Sequence, residues 1–250
     1  MKTVFVFGGN GNLGSAIVQH EVRNNSNVFS FDIHSSALSK QSSSELNYFQ
    51  CDLSQPSSYS QLASFCANKD LSIDSLVLAA ALDAVPLNNA DSLVSRNSFQ
   101  YDDGHKMLLT NIAYQIDLIA ALKPYLHTNS HILLFSSIYG QCSPDPRIYS
   151  SGFTKPYEYA ASKAAILGLT RQVAVNHAAE GLGRANCLVL GGVRSVDHDP
   201  LFVSHYLEKV PLSRMANTDD VINAYSFLSS SESSYITGTS LTVDGGYTAL

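Results

Sequence analysis

The chain carries few charges for its length, no basic cluster, and no apolar run long enough to cross a bilayer. Only 14% of its 250 residues are Asp, Glu, Lys or Arg, and the net charge is -6. A nucleic-acid partner would call for a basic stripe, so that class is set aside. No stretch reaches the ~18 apolar residues a membrane helix needs. The four cysteines (Cys51, Cys66, Cys142, Cys187) form no CxxC and no pairing pattern. With no signal peptide ahead of the first strand, they read as free thiols in a reducing cytoplasm. His127 and His131 are four apart, but the Thr-Asn-Ser between them reads as a turn, so no metal site is expected. No repeat, linker or composition break divides the chain. Its 45% hydrophobic content therefore suits a single domain over 1–250 with a large core.

What is present begins with Thr3-Val-Phe-Val-Phe7, a β-branched and aromatic strand that stops at Gly8-Gly-Asn-Gly-Asn-Leu-Gly14. Helical spacing continues from Ser15 to Arg23. Glycines between a strand and a helix let the backbone approach a pyrophosphate lying on the helix start, so the pattern predicts dinucleotide binding. Val28 to Asp32 reads as the second strand, and Asp32 lies 18 residues beyond Gly14, where a carboxylate meets ribose hydroxyls. It would repel a 2′-phosphate, and no nearby cation offsets it, which favours NAD(H) over NADP(H). Ser35 to Ser44 is serine-rich and reads as a loop or a poor helix.

Tyr48 to Cys51 is a third strand; Asp52, directly after it, either reaches an adenine edge or caps the next segment. A helix over Leu62–Ala67 and an apolar strand over Leu76–Ala81 come next, then a polar stretch from Asp83 to Asp103 without a clear period. Lys106 to Leu126 is helical, with Asn111 inside it. His131 to Phe135 is the fifth strand, and Gly140 to Pro156, with three prolines, is a loop. Tyr159 to Ala179 is a long helix and Ala185 to Leu190 the sixth strand. Gly191 to Val210 has no period and reads as part of a lid over about 191–215. Thr218 caps a helix running to Leu228, and Ser240 to Val243 is the last strand. This alternation predicts an α/β, Rossmann-type, doubly wound sheet of seven parallel strands with helices on both faces.

The chemistry centres on Tyr159-Ala-Ala-Ser-Lys163. Residues four apart share a helix face, so Tyr159 and Lys163 point the same way. A free phenol has a pKa near ~10, and a lysine beside it would draw it toward neutrality. Ser137, at the end of the fifth strand, is placed to hydrogen-bond a substrate oxygen. Asn111 could hold water beside the lysine.

Taken together these pieces resemble the short-chain dehydrogenase/reductase family over nearly the whole length. They run in its order: Gly8 to Gly14, Asp32, Asp52-Leu53, Asn111, Ser136-Ser-Ile-Tyr-Gly140, Tyr159 to Lys163, Arg184 to Val193, Pro211-Leu-Ser-Arg214 and Ile236 to Gly246. The resemblance implies Tyr159 as general acid/base, Lys163 on the nicotinamide ribose, Ser137 on the substrate oxygen and Asn111 in a water relay. Ser137 is preferred to Ser136 because the family shows Ser-x-x-Gly, which Ser137 to Gly140 satisfies. It also implies cofactor contacts from Gly8, Asn10, Gly11, Asn12, Leu13, Gly14, Asp32, Asp52, Leu53, Ala79, Ala80, Lys163, Gly192 and Val193, and a homodimer or homotetramer. Departures are Phe7 for a threonine, alanines at 79–81 for Asn-Asn-Ala-Gly, Leu190 for a proline, and a longer interval from Ser137 to Tyr159.

In that longer loop, Arg147 and Lys155 are candidates to clamp an anionic substrate. The loop is similar to those of bacterial surface-sugar and flagellin-modification oxidoreductases, which implies a sugar or sugar phosphate. The expected reaction is NAD(H)-dependent interconversion of a secondary alcohol and a ketone. A 3-ketoacyl-thioester reductase, a non-redox epimerase or dehydratase, and a catalytically silent cofactor-binding protein remain as alternatives.

Overall fold

Strand β1 (Thr3–Phe7) is buried over its last four residues, and alternate side chains leave it on opposite sides. Phe5 and Phe7 join one core cluster, while Val4 and Val6 join the other. That two-sided burial is what a parallel strand covered on both faces requires. The computed structural model describes residues 1–34, 46–83, 101–149, 153–196 and 198–250. The serine-rich stretch over 35–44 and most of the polar stretch after Asp83 lie outside them.

The strands β2 (Asn27–Asp32), β3 (Leu46–Gln50), β4 (Ile73–Leu78), β5 (Leu126–Ser137), β6 (Arg184–Leu190) and β7 (Ser240–Val243) complete the sheet. Its order is β3-β2-β1-β4-β5-β6-β7, with every pairing parallel. The expected doubly wound, single-domain architecture is the one observed. Helices α1 (Asn12–Arg23) and α7 (Thr218–Ser229) cover one face through Ile17, Val18, Val221 and Tyr225. Helices α2 (Pro56–Asn68), α4 (Tyr114–Leu122) and α5 (Tyr157–Ala179) cover the other through Leu62, Leu118, Leu122, Ile166 and Val173. Between β1 and β4 the strand order reverses, and the crossovers diverge to leave a crevice at the carboxyl ends.

Three sequence expectations are corrected. The helix expected over 106–126 is interrupted: α3 (Tyr101–Leu108) passes into a π-helical turn at Leu109–Ala113 before α4 begins. The extra residue of a π turn rotates the side chains beyond it, and Asn111 faces inward there, fully buried. The segment between His127 and His131 belongs to β5 rather than to a separate turn. Leu126 pairs with Ile73 and His131 with Ser75, so residues 127–130 bulge opposite Asp74. Finally, the stretch after Gly191 contains α6 (Pro200–Leu207), started by the Asp199 carboxylate accepting from the Leu201 N–H at 3.0 Å. An Asp-Pro helix start is the signal that the missing period obscured.

Candidate active site

The carboxyl ends of β4, β5 and β6 open into a cleft of about 400 Å³ lined by Tyr159, Lys163, Ser137 and residues of the neighbouring loops. Helix α5 starts directly after Pro156, its N-cap residue, whose backbone is extended at φ -58° and ψ 139°. Its buried positions, Tyr159, Ser162, Lys163, Ile166, Thr170 and Val173, recur every three or four residues. Tyr159 and Lys163 thereby share the inward face. Gly140 brings the end of β5 against that helix: a Cβ there would sit 2.7 Å from the Lys163 backbone.

The two serines at the end of β5 divide the work. Ser136 Oγ donates to the Lys163 carbonyl at 2.7 Å and ties strand to helix. Ser137 Oγ accepts from the Tyr139 N–H at 3.2 Å and lies within hydrogen-bonding reach of the Tyr159 phenol.

The electrostatics differ from the expectation of a tyrosine eased toward neutrality by Lys163. Burial raises the Tyr159 phenol well above its usual value of 10.0, and the Asp83 carboxylate raises it further, against the hydrogen bond with Ser137. Lys163 Nζ lies 5.6 Å from the ring centroid and donates to the Phe135 carbonyl at 3.1 Å. Burial lowers its pKa while Asp83 opposes the shift. In this arrangement the phenol holds its proton.

Asn111 does not offer a free amide to water. Its Oδ1 accepts from the Leu82 N–H at 2.7 Å, and its Nδ2 donates to the Leu82 carbonyl at 3.0 Å and to Ser162 Oγ at 3.1 Å. The side chain instead pins the segment after β4 to α5. The two loop cations also separate. Arg147 turns outward, 83% exposed, in a bidentate pair with Asp145, so it takes no part in the cleft. The physical reason is local: Asp145 caps the short turn that carries Arg147, and it also pairs with Lys209 just beyond α6. Lys155 does line the cleft, buried, with Nζ 2.5 Å from Asp83 Oδ1.

Gly8, at φ +82°, could not carry a side chain, because a Cβ would meet Ala80 N at 2.6 Å. A Cβ on Gly14 would likewise meet Gly8 O at 2.1 Å. Helix α1 begins at Gly11 with no side-chain cap and no acid in its first turn. Asn10 donates its N–H to Asp32 Oδ2 at 3.0 Å and its Nδ2 to the His34 carbonyl at 2.7 Å, while its buried Oδ1 finds no partner among the described residues. Asn12, Leu13 and Ala79 line the cleft, and Ala80 O accepts from Gln115 Nε2 at 3.3 Å. Asp52 Oδ1 accepts from the Ser54 N–H at 2.9 Å and closes a turn ahead of α2, whose N-cap, Gln55, has no side-chain cap bond. The neighbouring Leu53 packs on the core. Gly192 donates to Tyr206 Oη at 2.6 Å, and Val193 bridges to Ala216, both at the cleft edge.

Sequence reasoning missed Asp83 and the aromatic wall of Tyr139, Tyr149, Phe202 and Tyr206. Asp83 opens a stretch without periodicity, so nothing local marks it. The wall is assembled by pairing across loops: Tyr149 donates to Tyr139 Oη at 2.8 Å and stacks on Phe202 of α6 with ring centroids 5.4 Å apart. Among the described residues no group of three His, Cys, Asp or Glu side chains is placed to hold a metal, and no helix is long and apolar enough to cross a membrane.

The fold and the crevice define a doubly wound α/β protein of the dinucleotide-binding kind. The profile of a family described as enoyl-(acyl carrier protein) reductase matches residues 10–248. A 2,5-dichloro-2,5-cyclohexadiene-1,4-diol dehydrogenase of Sphingobium indicum is 27% identical over 100% of this chain and 98% of its own length. The 3-oxoacyl-[acyl-carrier-protein] reductase of Chlamydia pneumoniae is 29% identical, covering 99% of this chain and 97% of that one. The crystal structure of a Leptospira borgpetersenii short-chain dehydrogenase with bound NAD+ superposes with a TM-score of 0.86 at 26% identity, over 99% of this chain and 92% of that one. The chain belongs to the short-chain dehydrogenase/reductase family and is an oxidoreductase of that class.

Proposed function

We propose that this enzyme uses NAD(H) to interconvert a secondary alcohol and a ketone, with Tyr159 as general acid/base. The observation that carries this reading is one cleft holding the Tyr159 phenol, the Ser137 hydroxyl and the Lys163 ammonium. A dinucleotide fits the residues present. The glycine cradle at Gly8 and Gly14 has no room for side chains, the start of α1 is uncapped, and the Asn10 oxygen lacks a partner among the described residues. Gly8, Gly11, Gly14 and the start of α1 would hold the pyrophosphate, Asp32 the adenosine ribose, and Lys163 the nicotinamide ribose. When bound, the nicotinamide supplies or accepts the hydride. Ser137 orients the substrate oxygen and Tyr159, buried and protonated, donates to it in the direction of reduction.

The preference for NAD(H) over NADP(H) rests on Asp32, whose carboxylate accepts from the Asn10 and His34 backbone N–H groups and has no cationic side chain paired with it among the described residues. Equal affinity for the two coenzymes in a competition titration would refute it. The family relative that carries a bound NAD+ supports the same reading.

The proposed substrate is compact and uncharged, a sugar or another cyclic alcohol. Arg147 is outside the cleft, Lys155 is neutralised by Asp83, and the wall is aromatic. The relative named for a cyclohexadienediol supports a ring-bearing substrate. A second reading, reduction of a 3-ketoacyl thioester, is favoured by the full-length similarity to a 3-oxoacyl reductase. Nicotinamide absorbance with a panel of cyclic diols, keto-sugars and ketoacyl thioesters separates the two, and product formation without net redox change would point to an epimerase instead. Segment 191–215 is proposed to cover the bound substrate, a role that unchanged proteolytic sensitivity of this segment on coenzyme and substrate binding would contradict. Leu109, Ile116 and Val175, exposed on the helices that carry the site, support a homodimer or homotetramer, which light scattering tests. Four free thiols fit a cytoplasmic location, with cell fractionation as the check. The central test is Tyr159→Phe: turnover is lost while NADH still binds, and near-normal turnover would refute the assignment.

A further inference from the structure

Lys155 lies closer to the Tyr159 ring than Lys163 does. Its Nζ is 4.2 Å from the ring centroid, against 5.6 Å for Lys163. An ammonium over a phenol face is attracted by the ring's negative quadrupole. The same Nζ sits 2.5 Å from Asp83 Oδ1; the lysine side chain is 6% exposed and the carboxylate 39%. Both residues line the cleft. Asp83 is held in place from behind, because Asn111 bonds both backbone groups of Leu82 and reaches Ser162 of α5.

We propose that Asp83 and Lys155 are positioning residues of the reaction, a clamp additional to Ser137 and Lys163, in which the carboxylate keeps the proton on Tyr159 and the ammonium opposes it. The proposal rests on the reading of Tyr159 as the acid/base. The polar groups facing the phenol are Asp83 after β4, Ser137 and Tyr139 at the end of β5, Tyr149 and Lys155 from the loop before α5, and Lys163 on α5 itself. Among these described groups Asp83 is the single full negative charge. A carboxylate accepting from a phenol favours the neutral form, whereas each ammonium favours the phenolate. A substrate oxygen that takes over the phenol's hydrogen bond from Asp83 removes the acceptor that favoured the neutral phenol, and leaves the Lys163 ammonium and the Lys155–Asp83 pair beside the ring. The proton then passes more readily to that oxygen. Substrate entry thus converts Tyr159 from a proton holder into a proton donor.

The test is a pH titration of the full chain labelled with 13Cζ-tyrosine, Tyr159 being assigned as the resonance lost in Tyr159→Phe. Asp83→Asn lowers the Tyr159 midpoint relative to wild type by about one pH unit or more. Adding Lys155→Met to Asp83→Asn moves it back up, and Asp83→Glu titrates as wild type does. The proposal is overturned if Asp83→Asn stays protonated as far into alkali as wild type, or if the double variant matches Asp83→Asn. Asp83→Ser carries the same expectation should the amide variant not fold. No substrate enters this titration, so it can fail while Tyr159→Phe still abolishes turnover, and the two readings fall separately.

Discussion

Among the described residues, two tyrosine–carboxylate–lysine groups, one on each face of the sheet, are built from the same chemistry and put to different use. On the α1/α7 face, Tyr225 donates to Glu21, which also accepts from Lys2 Nζ at 2.9 Å and Ser26 Oγ at 2.5 Å. On the α5 face, Tyr159 faces Asp83, which pairs with Lys155. Their exposure is inverted. In the first the acid is buried, 4% exposed, and the lysine is wetter at 31%; in the second the lysine is buried and the acid meets the cleft. Glu21, buried and holding three donors, ties α1 to α7 and to Lys2 just ahead of β1. Asp83 keeps an open side toward the cleft, where an incoming oxygen can compete for the phenol. What separates a structural network from a reactive one here is which member touches open space, since the residue types are the same.

Exchanging each tyrosine for phenylalanine should pull the two groups apart. Tyr159→Phe is expected to lower turnover by about 10²–10⁴-fold, the usual weight of a positioned acid/base, with little change in Tm. A loss of stability with activity retained would merge the two groups into one structural kind. Tyr225→Phe should do the converse. It removes one donor from a buried carboxylate, at a cost of about 1–3 kcal/mol in denaturant unfolding, and leaves KM and kcat near wild type.

The acid limb of stability sharpens the contrast. Burial alone would raise Glu21, but Lys2 and the hydrogen bonds from Ser26 and Tyr225 outweigh it and hold the carboxyl below 4.5. The folded state therefore binds fewer protons than the unfolded state near that pH. The stabilisation is complete above the unfolded value and is lost as pH falls through the folded one. Glu21→Gln should lower Tm at neutral pH and flatten its fall on acidification, as read by thermal melts across that range. A slope unchanged by the substitution would remove Glu21 from the account.

The smallest effect is expected at Arg147. Its pair with Asp145 is on the surface, where solvent screens such pairs, and it stands outside the cleft. Arg147→Ala should change kcat/KM less than about twofold, and a larger loss would return it to the substrate.

The legibility of these groups in the sequence depends on their chemistry. Tyr159 and Lys163 sit at a spacing that a helix imposes, so the periodicity of α5 was enough to put them on one face. The sheet was legible for the same reason, since runs such as Leu76 to Leu78 and Cys187 to Leu190 are apolar on both faces. Asp83 and Lys155 were not, because their meeting spans 72 residues and depends on how Asn111 fastens the segment after β4. Arg147 carried a plausible charge in a plausible loop, yet the capping carboxylate two residues before it decided its direction. Asn111 was legible as a candidate beside the lysine, but the π turn that aims its amide at Leu82 and Ser162 was not. Local pattern reports what a backbone imposes; which of two loop cations reaches a cleft is a matter of competition among partners far apart in the chain.

The measurement closest to the central claim is a crystal structure of the enzyme with NADH and a nonreactive alcohol in the cleft. The account predicts the alcohol oxygen within hydrogen-bonding distance of both Tyr159 Oη and Ser137 Oγ, with Lys163 on the nicotinamide ribose. A phenol turned away from the nicotinamide, with Lys163 reaching neither ribose nor ring, would contradict it.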